Sequence, residues 1–276
     1  MFVIGNGESR LSTIDLNLLK TKGKVYGCNA LYRDFSPDAL IAVDGGMMHE
    51  IASTGYIYKH TCYFRSWSRL PEYAYDSLVN DSMFEGWHDS FKSENDKSHF
   101  INFVMNGMDP DQIKRAFDQV KQIYAEKNKP FDAKDVRQKL GNHHMWITWV
   151  DDEDNVRIIP ENYSGWSAGP IASRLMVEDN DVSEVYLIGF DMFTSTGRVN
   201  NVYKGTRNYV PQDSSETPSV NWKNQHIENF KTYPNVVFYH VSKNADEIEE
   251  WSQYDNVDYL TFNDVHLKLD KYPTIQ

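Results

Sequence analysis

Met1-Phe2-Val3-Ile4-Gly5-Asn6-Gly7-Glu8-Ser9 is the stretch that decides the fold: a short apolar run that ends at once in a glycine-rich turn. Nucleotide-binding α/β domains open this way, because glycine lets backbone N–H groups approach a phosphate where a Cβ would intrude. The turn is not the full dinucleotide fingerprint. Gly5-Asn6-Gly7-Glu8-Ser9-Arg10-Leu11-Ser12 lacks the third glycine of G-x-G-x-x-G, and a plain strand-to-helix turn reads the same way. Its weight comes from the alternating elements on its C-terminal side.

Moving outward, Thr13–Leu19 reads as a short helix ended by Lys22-Gly23-Lys24, and Lys24–Asn29 as a second strand. Pro37-Asp38 introduces a third, Ala39–Asp44, whose unbroken apolar character suits a parallel strand covered on both faces. Gly45-Gly46 turn into a helix over Met47–Ser53, closed near Gly55, and a fourth strand is expected around Thr61–Phe64. Strand and helix alternating at this spacing is a βαβ series, which implies a parallel sheet with right-handed crossovers. Ligands bind such sheets beyond the carboxyl ends of the strands, and three of these ends carry polar groups: Asn6, Asn29 and Asp44.

The rhythm stops between residues 66 and 145, where Trp, Tyr, His and charge accumulate; this reads as a lid or subdomain inserted in a single domain spanning residues 1–276. Its clear helix follows Asp109 or Asp111, with Ile113, Ala116, Phe117, Val120, Ile123 and Tyr124 on one face. Met145–Val150 and Val156–Ile159 then resemble the arms of a hairpin. The Asp151–Asn155 segment between them has the turn residues a hairpin needs, and also the Asp-x-Asp pattern with which many nucleotide-sugar enzymes hold a divalent cation. A helix starting at Ala168, behind Ser164-Gly165, would offer free N–H groups to an anion, or be an ordinary capped helix. Val185–Asp191 is the most convincing buried strand and again ends in a carboxylate. A polar loop from Met192 to Ser219, a helix over Trp222–Tyr233, a strand over Val236–His240, a helix around Asp246–Gln253 and an edge strand near Tyr259–Phe262 complete the pattern. The expected class is α/β: a Rossmann-like, mostly parallel sheet with helices on both faces.

Composition narrows the function. With 276 residues, 40% hydrophobic and 25% charged, the chain suits a soluble globular protein with a substantial core. Its net charge of −12, without a basic stripe, argues against a nucleic-acid partner. Cys28 and Cys62 make neither a disulfide framework nor a cysteine-rich metal site. No apolar run approaches the ~20 residues of a membrane span. Nor is there a signal-peptide pattern, so a cytoplasmic location is expected. The aromatic share of 14% supplies rings for a core and for stacking on sugars or bases. His143 and His144 show no metal spacing.

Four motifs in order, V-I-G-N-G-E-S, Y-G-C-N-A-L-Y, S-G-x-x-A and E-V-Y-L-I-G-F-D, resemble the bacterial sialyltransferases of glycosyltransferase family 42. The likeness covers about residues 2–45 and 160–230 and none of the insertion. It implies a cytidine monophosphate sugar donor, no metal, and a Rossmann-like domain with a small lid. By position, Gly5, Asn6, Gly7, Ser9, Asn29, Asp44 and Asp191 would surround the nucleotide, with Ser164 and Gly165 at its ribose or phosphate. Tyr203 and Tyr209 would be the hydroxyls that stabilise the departing phosphate, and His226 the general base. Departures are visible. Phe193 stands where the family has Tyr, Asn162 and Tyr163 replace a family arginine, and alignment back from Ile227–Phe230 puts Ser219 at the family histidine. A second resemblance, through Val43-Asp44-Gly45, is to archaeal pterin diphosphokinase-like proteins.

These readings lead to glycosyl transfer from a nucleotide sugar to a glycan or other acceptor hydroxyl, with no cofactor. Two alternatives stand beside it: metal-dependent diphosphate transfer using Asp44 and Asp191, and a nucleotide-binding module without turnover. A homo-oligomer is compatible with all three.

Overall fold

The computed structural model describes residues 1–11, 15–69, 103–107, 110–132, 145–150 and 154–271. Its strands are β1 (Phe2–Ile4), β2 (Val25–Cys28), β3 (Ala39–Ala42), β4 (Cys62–Phe64), β5 (Ser68–Arg69), β6 (Phe103–Gly107), β7 (Met145–Trp149), β8 (Val156–Ile158), β9 (Glu184–Ile188), β10 (Val237–Ser242) and β11 (Val257–Thr261). Its helices are α1 (Leu16–Lys22), α2 (Gly45–Ser53), α3 (Pro110–Glu126), α4 (Ala168–Glu178), α5 (Val220–Thr232) and α6 (Phe262–Leu269). Two compact units emerge: Met1–Val43 with His60–Tyr63 and Pro160–Gln276, and Asp44–Lys59 with Phe64–Ile159.

The main sheet runs β11-β10-β9-β1-β2-β3-β4-β8. From β11 across to β3 every pairing is parallel. Every residue of β1, β2 and β3 is buried, which is what parallel strands covered on both faces require. α4 packs across β1, β2 and β3 and against α5. Near its start Gly169 lies against Phe190, just after β9, where a Cβ would stand 2.7 Å from the ring. The fold is therefore the α/β, Rossmann-like one.

Strand order turns at β1, with β2 and β3 on one side and β9, β10 and β11 on the other. Ile4 sits opposite Gly27 and Ile188, so the chain leaves β1, β2 and β9 at one edge of the sheet. Doubly wound folds place their ligands at such a reversal.

Several local expectations are corrected. Asp246–Gln253 forms turns rather than a helix, because its apolar residues are local plugs: Trp251 is fully buried and donates its indole N–H to the Lys223 carbonyl. α6 comes after it instead, capped by a reciprocal Thr261–Asp264 box. The anticipated edge strand is β11. β3 is shorter than expected, and Asp44 becomes the N-cap of α2.

In the second unit, β5, β6 and β7 form a separate antiparallel sheet, with α2 packed on β7. The expected hairpin does not form. β7 pairs with β6, while Ile159, next to β8, donates its N–H to Phe64 at 2.9 Å. On α3, Phe117 and Tyr124 meet Phe131 edge-on at 5.5 and 5.7 Å. This unit exceeds the segment that composition marks, since it also takes in α2 and β8.

Candidate functional site

The first turn is crowded for a reason internal to the chain. Gly5 donates its N–H to the Ile188 carbonyl and Gly7 to the Gly189 carbonyl, each at 2.8 Å. A Cβ on Gly5 would strike the Gly189 oxygen, and one on Gly7 would lie 2.5 Å from the Asp191 carboxylate carbon. Ser9 donates its N–H to Asp191 Oδ2 at 2.9 Å and its hydroxyl to Oδ1. Glu8 donates its N–H to the Asn200 side-chain oxygen at 2.8 Å. The turn's N–H groups are thus spent within the chain, on the Ile188 and Gly189 carbonyls, the Asn200 side chain and, from Ser9, the Asp191 carboxylate. Ser9 and Asp191 are engaged with each other, and Gly5 and Gly7 with the backbone at the end of β9.

Asn6 is the exception in this turn. Its side-chain amide donates to the Cys28 carbonyl at 3.3 Å and to the Tyr209 hydroxyl at 3.2 Å. The Ala30 N–H, at the end of β2, donates to the same hydroxyl at 3.4 Å. Between Cys28 and Ala30, Asn29 adopts a left-handed φ of 52°, which asparagine tolerates better than most residues. The side-chain oxygens of Asn6 and Asn29 are buried without a donor. Each such acceptor costs about 1–3 kcal/mol while it stays unpaired.

Tyr203 and Tyr209 both reach this edge, carried by the loop after β9. Val202 donates its N–H to the Asn6 carbonyl at 2.8 Å. Tyr203, 5% exposed, donates its hydroxyl to Asp34 Oδ2 at 2.6 Å and accepts from Arg10 Nη2 at 2.7 Å. Burial, then the bond to Asp34, pushes the Tyr203 pKa up. Its proton therefore stays directed at Asp34 rather than being offered to a leaving phosphate. Arg10 is also 5% exposed and approaches Asp34 at 3.4 Å. Arg33 lies over the Tyr203 and Tyr209 rings at 5.6 and 5.9 Å and donates to Thr206 Oγ1 and the Arg207 carbonyl. Sequence reasoning passed over Arg10, Arg33 and Asp34. Their only signal was position, directly after Ser9 and after Y-G-C-N-A-L-Y.

Other expected residues have surroundings of their own. His226 is 0% exposed, boxed by Phe190, Trp251 and Phe230 with ring centroids 5.1, 5.2 and 6.1 Å away. Both its ring nitrogens lack a partner, and burial, reinforced by His240, pushes its pKa down to about 3. Fully enclosed in this box, the His226 imidazole has no solvent-facing nitrogen with which to take a proton. Its neighbour His240 has Nε2 at 3.1 Å from the Phe190 carbonyl and Nδ1 at 3.2 Å from the Asp246 carbonyl, and burial lowers its pKa too.

Ser164 is exposed, and Gly165 turns at φ 80° with open space beside it. The carboxamide of Gln225 serves the start of α4, accepting from the Ser167 N–H at 2.8 Å and donating to the Gly165 carbonyl at 3.3 Å. The anion seat expected at this helix thus already meets a side chain. Asp44 belongs to the second unit, where burial raises its pKa and Arg65 opposes the rise. Asp152, His143 and His144 lie outside the described residues. Among the described residues no three His, Cys, Asp or Glu side chains are gathered as for a metal ion. Cys28 and Cys62 are free and buried, their thiols pushed up to about 12 by burial.

Among the described residues no helix is long and apolar enough to cross a membrane. No protein-family model, curated protein or solved structure matches the chain.

Proposed function

We propose that the chain is a glycosyltransferase that moves a sugar from a nucleotide-sugar donor, a CMP-sugar first among them, to an acceptor hydroxyl. The observation that carries this reading is the convergence of the Asn6 amide, the Ala30 N–H and the Tyr209 hydroxyl at the edge where β1, β2 and β9 end. Two hydrogen-bond donors from separate strand ends, aimed at one oxygen, are a fit arrangement for a sugar-phosphate oxygen. The preference for cytidine rests on the motif resemblance to family 42.

In this reading the nucleotide phosphate departs as the sugar carbon becomes oxocarbenium-like and the acceptor oxygen attacks. Amide donors and the nearby Arg33 guanidinium stabilise the negative charge gathering on the phosphate. Asn29 contributes a buried oxygen able to take a hydrogen bond from a ribose or base donor. The acceptor's proton needs a base other than His226.

The burial of His226 also favours a second reading, a nucleotide-binding module without turnover. Incubating the chain with CMP-, UDP- and GDP-sugars and with ATP plus Mg²⁺ separates the two. CMP release from a CMP-sugar in the presence of an acceptor alcohol supports transfer. Binding without release of any product supports the module, and AMP release from ATP supports diphosphate transfer instead.

A further inference from the structure

We infer that Tyr209 occupies the candidate site when no ligand is bound, its hydroxyl taking the place of a ligand oxygen on the Asn6 amide and the Ala30 N–H. This rests on the nucleotide-site reading and adds the regulation of that site.

The N–H groups of Gly5, Gly7, Glu8 and Ser9 all end on acceptors from the chain around and beyond β9. The Asn6 amide and Ala30 N–H instead meet a phenol oxygen, an acceptor from a side chain that can swing away. The two tyrosines of the loop are held unequally. Tyr203 is buried, with contacts of 2.6 and 2.7 Å to charged partners. The Tyr209 ring, half-buried, lies under Arg33 and beside Tyr203, but its hydroxyl accepts from the neutral Asn6 and Ala30 donors at 3.2 and 3.4 Å, the long end of the hydrogen-bond range. Charge-assisted bonds are about twice as strong as neutral ones, so Tyr203 anchors the loop and Tyr209 is the end that releases.

The movement needs only the Tyr209 side chain, since the Gly205 and Tyr209 N–H groups stay bonded to the Val210 and Thr206 carbonyls at 2.7 and 3.1 Å. Gly205 and Asn208 sit at left-handed φ of 76° and 64°, and residues 205–208 are exposed. The plug is also an imperfect occupant. With Tyr209 in place, the Asn6 and Asn29 oxygens stay buried and without donors. One phenol proton cannot serve both. A ligand carrying an acceptor oxygen beside several hydroxyls, as the ribose phosphate of a nucleotide does, answers the donors and the orphaned acceptors together.

The test is titration of CMP into the full chain and into Tyr209→Phe, which keeps the ring under Arg33 but removes the hydroxyl. Removing a competing internal ligand should tighten CMP binding roughly five- to tenfold. Equal or weaker binding by Tyr209→Phe overturns the occlusion while leaving the nucleotide site standing. Saturation of neither protein by CMP, UMP, GMP or AMP removes the nucleotide reading and the occlusion with it. Hydrogen exchange of the ligand-free proteins supplies a second readout. The Ala30 amide should exchange about tenfold faster in Tyr209→Phe, and an unchanged rate overturns the contact on which the inference stands.

Discussion

Replacing His226 by Phe and comparing the fold's response to acid tests the burial argument quantitatively. The folded His226 titrates near 3, against an ordinary 6.5 in the open chain, because the aromatic box excludes the water that would solvate an imidazolium. A depressed pKa on a base means that the folded state refuses a proton the unfolded state accepts. The contribution to stability is therefore complete above about pH 6.5, declines as pH falls below that, and is exhausted near pH 3. At pH 5 the unfolded chain lies about 1.5 pH units below its own titration, which corresponds to about 2 kcal/mol. Urea denaturation of both proteins at pH 7.5 and pH 5 reads this directly. Whatever His226→Phe costs at neutral pH through altered packing, its stability relative to the parent should improve by about 2 kcal/mol on acidification. His240 titrates in the same direction but remains in both proteins, so it largely cancels. A difference that stays constant between the two pH values would refute the claim that His226 is held neutral, and would return it to consideration as a base.

The first turn supplies two further expected outcomes. Gly7→Ala should cost about 1–3 kcal/mol of stability by thermal denaturation, since its Cβ would lie 2.5 Å from the Asp191 carboxylate carbon and 2.8 Å from the Gly189 oxygen. Asp191→Ala should cost about 2–4 kcal/mol, since it leaves both the N–H and the hydroxyl of Ser9 without their acceptor, with Asp191→Asn costing less. If Asp191→Ala is neutral for stability, the carboxylate does not hold Ser9 in the turn.

Much of the fold was legible because its signals are local. Apolar runs bounded by Gly, Pro and Asn placed β1 to β4 and β9 to within a few residues, and their alternation with helices dictated the parallel order. The features that escaped depend on partners distant in sequence. The glycines of Gly5-Asn6-Gly7 do mark a close approach, but the approaching group is the end of β9 with Asp191, and no local pattern reveals which chain arrives. His226 looks like any polar residue on a helix. Its burial depends on Phe190 and Trp251, from segments before and after it. Asp246–Gln253 has helix-compatible composition, yet Trp251 docking on Lys223 decides its shape. The Thr261–Asp264 capping box was readable in principle, since both partners lie within one turn. At the site, Asn6, Asn29, Tyr203 and Tyr209 were selected by motif and do gather, while the cations beside them, with no motif of their own, emerged only from the folded chain.

The central claim is that the edge defined by Asn6, Ala30 and Tyr209 receives a nucleotide. Calorimetric titration of CMP into the full chain and into Asn6→Ala tests it most directly. The account predicts saturable binding by the parent, weakened at least roughly tenfold, about 1.4 kcal/mol, by loss of the Asn6 side chain. Absence of saturable binding, or binding that Asn6→Ala leaves untouched, would contradict it.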